Sequence, residues 1–283
     1  MPPRFALLHE SLYRYARSAR LGPQTIRLSP TPHTRTPITG YRLDISPAPT
    51  RLDWFFDPAG NRTARALFDG ATNALRVTVA LEASLAPINP FDFLLDASTA
   101  EWPFPLEPWL ARQLAPYREA APQGPLLAAL IASLPQSPQA TLDLLVAANG
   151  LIHQRIRYER REAPGLWDAE RVLSEGRGAC RDMAWLLVLV LRALGFAARF
   201  VSGYMIDAEN DASDHAELHA WAEAYLPGAG WIGLDPTSGL LTAEGHIPLA
   251  AAPEPEAAAP ITGTVEAVVV TPRFRISLRR IAA

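Results

Sequence analysis

Apolar residues are spaced in three different ways along this chain. Up to about residue 85, short runs alternate apolar with polar or small residues: Tyr13-Arg14-Tyr15-Ala16, Thr25-Ile26-Arg27-Leu28 and Leu75-Arg76-Val77-Thr78-Val79-Ala80-Leu81. Successive side chains of a strand point to opposite faces, so alternation predicts half-buried strands. Proline and Gly-Asn turns break the runs at intervals that fit a β-sandwich-like domain over residues 1–85. From Ile88 onward, prolines punctuate two segments of helical spacing, Leu106 to Tyr117 and Leu126 to Leu134, which predicts a helical connector over 86–138. A longer helix is predicted from about Ala140 to Ile156, with Leu142, Leu145, Val146, Asn149, Ile152 and Ile156 on one stripe.

The third texture, 139–283, centres on Met183 to Leu194, a segment apolar on nearly every side except at Arg192. A helix of that kind belongs in the middle of a domain. Gly195 supplies its stop, and the glycines and alanine of 176–179 lead into its start. Cys180, the only cysteine, therefore sits at or within a residue of the first helical turn. Unpaired N–H groups and the positive end of the helix dipole there favour a thiolate and offer donors to a developing oxyanion. Taken alone, the segment fits a small buried hydrophobe equally well.

Two later segments add to the picture. Phe196 to Tyr204 reads as a strand. In Leu218 to Leu226, His219, Trp221, Glu223 and Tyr225 fall on one face and leucines and alanines on the other. Gly230 to Thr237 reads as a second strand ending at Asp235, and the turn 227–230 joins the two as a hairpin. His219 and Asp235 then become neighbours across it. A cysteine at a helix start, an imidazole to take its proton and a carboxylate to orient the imidazole form a nucleophile, base and orienter set.

The stretches 176–204 and 219–239 together resemble the transglutaminase-like core, a papain-related cysteine fold, over about Leu142 to Leu241. Leu8 to Tyr15, Ile26 to Pro30 and Asp57 to Asn61 resemble the bacterial transglutaminase-like N-terminal domain. The resemblance implies an α+β fold: a β-sandwich-like domain, then a papain-like core whose central cysteine-bearing helix packs on an antiparallel sheet. It implies Cys180 as nucleophile, His219 as general base and then acid, and Asp235 as orienter, within a core of 139–283 that includes the C-terminal strands. The implied substrate is an amide bond of a peptide or protein, cleaved through a thioester. Hydrolysis is expected to dominate, because the calcium signals of long cross-linking relatives are missing and the chain ends soon after the core. The alternatives are amine-accepting acyl transfer and a non-catalytic peptide-binding module. Arg181 departs from the glutamine of many bacterial relatives and is expected to add positive charge beside Cys180.

Composition narrows the rest. At 283 residues and 49% hydrophobic, two domains with ample cores are expected. One cysteine excludes an internal disulfide and fits a reducing cytoplasm, and residues 1–9 show no signal peptide. No apolar run reaches membrane-spanning length, and a net charge of −3 gives no nucleic-acid footprint. No cofactor and no metal are expected. His9-Glu10 lacks a second histidine at zinc-helix spacing, so His9 reads as structural; His215 and His219 lie four apart, but on a strand. The acidic loop Asp207 to His215 lacks an EF-hand glycine and reads as a rim of the cleft. Tyr158 and Trp167 are expected to pack ordinarily rather than assist an oxyanion. Residues 250–260 read as low-complexity loop, and Val265 to Ile281 as two strands whose Arg273, Arg275, Arg279 and Arg280 form a solvated edge.

Overall fold

The computed structural model describes residues 2–208 and 214–281. Its spine is one long strand, β1 (Arg4–Ile26). The first half of β1 pairs with β5 (Ala71–Ser84), which in turn pairs with β2 (Ile38–Ser46). Its last residues pair with β4 (Arg62–Leu67), itself paired with β3 (Arg51–Phe56). An irregularity in the β1–β5 register between Arg14 and Ala19 marks where the two limbs diverge. The sandwich expected for 1–85 is therefore one curled antiparallel sheet whose limbs share a strand. Alternation places its core as expected: Leu75, Val77, Val79, Leu81 and Ala83 are all buried.

A two-residue clip, β6 (Glu101–Trp102) with β7 (Gln139–Ala140), encloses the connector helices α1 (Pro108–Gln113), α2 (Ala115–Arg118) and α3 (Pro125–Ala132). The single helix expected over Leu106 to Tyr117 is two pieces, because Pro116 brings no N–H to a continuing helix. Next come α4 (Thr141–Arg155), β8 (Arg157–Tyr158), α5 (Ala169–Glu175), β9 (Arg177–Gly178) and α6 (Cys180–Ala193). Asp168 caps α5 by accepting the Arg171 N–H at 2.9 Å, and Gly176, at φ 61°, ends it in a left-handed turn. That turn leads into β9, which pairs in parallel with β8 and sets Tyr158 opposite Gly178.

The second sheet has the order β13-β12-β11-β10-β14, comprising β10 (Ala198–Asp207), β11 (His215–Leu226), β12 (Gly230–Asp235), β13 (Leu240–Leu241) and β14 (His246–Ala252). Helix α6 shares a core with Phe200 and with Ala220, Ala222 and Ala224, small side chains that let the helix lie close to the sheet. Arg192, the polar exception on α6, is buried with its donors on the carbonyls of Ala198, Glu119 and Pro253 and on Glu254. The loop expected at 250–260 is ordered: Ala250 to Ala252 complete β14, and Asn61 exchanges two hydrogen bonds with the Ala251 backbone at 2.8 and 2.9 Å.

The last two strands leave the core. β15 (Ile261–Val265) and β16 (Val270–Ile281) both pair with β1, not with the second sheet. The C-terminal strands, expected within a core of 139–283, thus join the first sheet. The free edge of β1 offers backbone donors and acceptors that β16 satisfies along twelve residue pairs. Arg273, Arg275 and Arg279 lie exposed on β16, while Arg280 pairs with Asp214 and covers the Phe5 ring. Tyr204, Ile206, Ile247 and Leu249 from the second sheet share a core with Phe5, Leu7, Val77 and Leu81 from the first, so the two sheets meet in an apolar seam. His9 lies buried in it, hydrogen-bonded through Nδ1 to the Tyr204 hydroxyl at 2.8 Å and through Nε2 to Ser11 Oγ at 2.9 Å. Among the described residues no helix is long and apolar enough to cross a membrane. Most of the acidic loop expected to rim the cleft, 209–213, lies outside the described residues.

Candidate active site

Cys180 is the first residue of α6 and is half-buried. Asp182, two residues on, fixes that helix start. One of its oxygens accepts the Ala179 N–H at 2.9 Å, the other accepts the Trp167 N–H at 2.9 Å, and Arg161 Nη2 lies 2.7 Å from both. The Asp182 side chain is wholly shielded from solvent, so these bonds satisfy a buried charge. Arg181 spends its donors on the carbonyls of Arg161, Ala163 and Gly165. Its charge lies within Coulombic reach of Cys180, as expected, but its hydrogen bonds tie down the loop beside the thiol.

Trp167 packs between the guanidinium groups of Arg171 and Arg161, 3.9 and 4.6 Å from its ring centre. Tyr158 differs. It pairs with Gly178, two residues before Cys180, and is 39% exposed. Burial raises the phenol's pKa; nearness to Cys180 and Glu217 adds to the rise, and His219 and Arg160 offset part of it. Ordinary packing thus describes Trp167, whereas Tyr158 borders the site.

His219 lies on β11 opposite Gly203 of β10. A side chain at 203 would come within 2.4 Å of both the Ile247 carbonyl and the Trp221 ring, so glycine there makes room for Trp221. Trp221 stacks against His219 at 6.4 Å between ring centres and an angle of 29°. His219 Nε2 is 3.0 Å from Asp235 Oδ2 and 3.3 Å from Thr237 Oγ1. With Nε2 donating to the carboxylate, Nδ1 is the nitrogen left to exchange a proton. Nδ1 is buried, makes no well-formed hydrogen bond, and stands 3.4 Å from Glu217 Oε1. Burial lowers the His219 pKa; the bond to Asp235, with the Cys180 thiol and Glu217 close to the ring, outweighs it and pushes the value up to about 12.

Asp235 ends β12 and is fully hydrogen-bonded. Oδ1 accepts the Thr237 N–H at 2.9 Å and the Thr237 hydroxyl at 2.8 Å, and Oδ2 accepts from His219 and from His246 Nε2 at 3.2 Å. Burial would raise its pKa, but the two imidazoles hold it far below the usual carboxylate range. Asn149, read from the sequence only as a stripe residue of α4, donates to the carbonyls of Leu240 at 3.0 Å and Asp235 at 3.4 Å and so braces the turn after Asp235. Glu223 is no second orienter: it is buried against Arg199 at 2.6 Å and lies 3.5 Å from His33.

Cys180, His219 and Asp235 therefore come together, and Glu217, Thr237, Asn149 and His246 join them without having been singled out for the site in the sequence. Asp182 had a readable signal, an acidic residue in the first turn of a helix. His246, eleven residues beyond Asp235, had none. His219 Nε2, Asp235 Oδ2 and His246 Nε2 lie within 4.8 Å of one another, a spacing that suits a metal ion. The backbone argues otherwise. Ala243 N–H donates to His246 Nδ1 at 3.4 Å, which places the proton of the neutral ring on Nε2 and leaves that nitrogen no lone pair for a metal.

Two segments of the chain, and its fold as a whole, resemble known proteins. The profile of the transglutaminase-like superfamily matches residues 128–236, and that of the bacterial transglutaminase-like N-terminal region matches 5–84. An uncharacterised protein of Mycobacterium leprae is 34% identical over 94 residues, 32% of this chain and 33% of that one. The chain thus spans a third of that relative. An uncharacterised protein of Mycobacterium tuberculosis is 24% identical over 258 residues, 86% of this chain and 82% of its own. A protein-glutamine gamma-glutamyltransferase of Pseudomonas aeruginosa is 38% identical over 65 residues, 21% of this chain and 10% of that one. Among solved structures, a candidate cysteine protease from Cytophaga hutchinsonii superposes with a TM-score of 0.69 at 18% identity, covering 100% of this chain and 92% of that one.

Proposed function

We propose that this chain, which belongs to the transglutaminase-like superfamily with the bacterial N-terminal region ahead of its core, hydrolyses amide bonds of peptides or proteins through a thioester on Cys180. The observation that carries the reading is the buried 3.0 Å bond between His219 Nε2 and Asp235 Oδ2, which leaves the ring's other nitrogen for the thiol. In this reading His219 Nδ1 takes the Cys180 proton, the sulfur attacks the carbonyl carbon, and the imidazolium returns the proton to the leaving amine. Asp235 holds the ring and stabilises its charge through both steps. Of the first-turn N–H groups of α6, that of Asp182 donates to the Ala179 carbonyl at 2.9 Å; those of Cys180 and Arg181 supply donors for the tetrahedral oxyanion, with Tyr158 at the rim. Water activated by His219 then resolves the thioester into acid and free thiol.

Hydrolysis is favoured because Cys180 is only half-buried, which leaves water a way to the thioester. A second reading, transfer to an amine, draws on the local match to the Pseudomonas aeruginosa transferase. Glutamine-containing peptides incubated with and without millimolar labelled cadaverine separate the two. Free acid exceeding amine adduct, read by mass spectrometry, is the expected result. Adduct outpacing acid makes the protein a transamidase and leaves the thioester chemistry in place.

A further inference from the structure

His246 lies outside the nucleophile, base and orienter set, yet its ring is held as firmly as theirs. Three contacts fix it: Nε2 on Asp235 Oδ2 at 3.2 Å, Nδ1 on the Ala243 N–H at 3.4 Å, and the Trp221 ring edge-on at 5.2 Å between centres. A backbone N–H can only donate, so Nδ1 must accept and Nε2 must carry the proton. His246 is thereby locked as a donor to the same carboxylate oxygen that receives His219. Trp221 touches both imidazoles, stacked on one and edge-on to the other, so it spaces them around that oxygen.

The consequence follows from counting lone pairs. An ionised carboxylate offers about four acceptor sites. Thr237 fills both on Oδ1, and His219 and His246 share Oδ2. A carboxylate bonded only on Oδ1 and to His219 would keep one free lone pair on Oδ2, would swing about its Cβ–Cγ bond, and would place more negative charge on the His219 proton. We propose that His246 is a positioning residue of this site, the donor that fixes Asp235 Oδ2 in line with His219 Nε2 and shares that oxygen's charge. His219 is then oriented by Asp235 without being held so tightly that it fails to give up its proton to a leaving amine.

This inference rests on the proposed pairing of Cys180 with His219, and the test separates the two. The probe is iodoacetamide: the rate of Cys180 alkylation is followed against pH by intact mass, which needs no knowledge of the substrate. Wild type, His219→Ala, His246→Gln and His246→Met are compared, each checked for a wild-type circular dichroism spectrum. Gln and Met match in length, and only Gln keeps a donor. Wild type is expected to show a step below the ordinary thiol range, where Cys180 ionises beside the His219 imidazolium, absent from His219→Ala. In His246→Met that step moves to higher pH by roughly half a unit or more, because Asp235 draws the imidazolium more strongly; in His246→Gln it stays with wild type. Equal profiles for Gln and Met, shifted or not, overturn the role of His246 while leaving the Cys180–His219 pair intact. Identical profiles for wild type and His219→Ala remove the pair and this inference with it. Should the Met variant not fold, nitrogen-15 spectra of histidine-labelled wild-type protein decide: the Nε2–H tautomer is expected for His246, and an Nδ1–H tautomer contradicts the proposal.

Discussion

Two buried histidines of this molecule are driven in opposite directions by their surroundings. His9, in the seam between the sheets, meets only hydroxyl groups, those of Tyr204 and Ser11, and burial lowers its pKa to about 4. His219, in the cleft, is buried just as deeply but meets the carboxylates of Asp235 and Glu217, and its pKa rises to about 12. Burial alone therefore makes an imidazole a neutral structural strut. A carboxylate fixed on one nitrogen makes it a group able to accept and hold a proton. The difference lies in the partners, and the partners arrive from distant parts of the chain.

The most damaging way to break the contrast is to take the charge from Asp235. Asp235→Asn keeps the size but offers His219 a neutral, flippable partner, and turnover of any amide substrate is expected to fall roughly ten-thousand-fold. Glu223 is committed to Arg199 and does not rescue it. Steady-state kinetics on purified variants measure this, and near-normal turnover would show that some other group orients the ring.

Next in size is the anchor of the thiol's own helix. Asp182→Ala strands the Arg161 guanidinium and releases the N–H groups of Ala179 and Trp167, so a loss of about 3–5 kcal/mol in unfolding free energy is expected. Urea denaturation reads it; a loss below about 1 kcal/mol would mean that the helix start is held by packing alone.

The two histidines also predict opposite pH slopes. His9 has a folded pKa below its unfolded 6.5, so its contribution to stability is present above about pH 6.5 and is lost as pH falls toward 4. The full shift corresponds to about 3 kcal/mol. His219 has a raised folded pKa, so its contribution is complete below 6.5 and declines as pH rises. His9→Gln should flatten the acid limb of a stability–pH curve and leave the alkaline side unchanged. An unchanged acid limb would show that His9 is not the group that titrates there. The smallest effect is expected at Arg181: replacing it with Gln loosens the 161–165 loop and should cost less than about 1 kcal/mol, while raising hydrogen exchange at those residues. Unaltered exchange would mean that its bonds to the loop carbonyls do not restrain it.

What the sequence revealed, and what it hid, follows the same division. The Cys180 helix was legible because a run of apolar residues with glycines at both ends has one physical solution, a buried helix. The His219–Asp235 hairpin was legible because alternation and a Pro-Gly turn fix its register. The curled sheet's strands could be read, but not that β15 and β16 return to β1, since nothing local in 261–281 distinguishes one sheet edge from another. His246, Thr237 and Asn149 were invisible as site residues for the same reason: a side-chain hydrogen bond leaves no periodicity. Even the arginine-for-glutamine departure at 181 pointed to charge, whereas its donors serve loop carbonyls.

The claim on which everything else depends is that His219 activates Cys180. At pH 6, where an ordinary thiol reacts slowly, the rate of Cys180 alkylation by iodoacetamide is compared between wild type and His219→Ala, both shown to be folded. The account predicts that wild type reacts at least about tenfold faster. Equal rates would contradict it, and would leave Cys180 a cysteine that merely packs at the start of a helix.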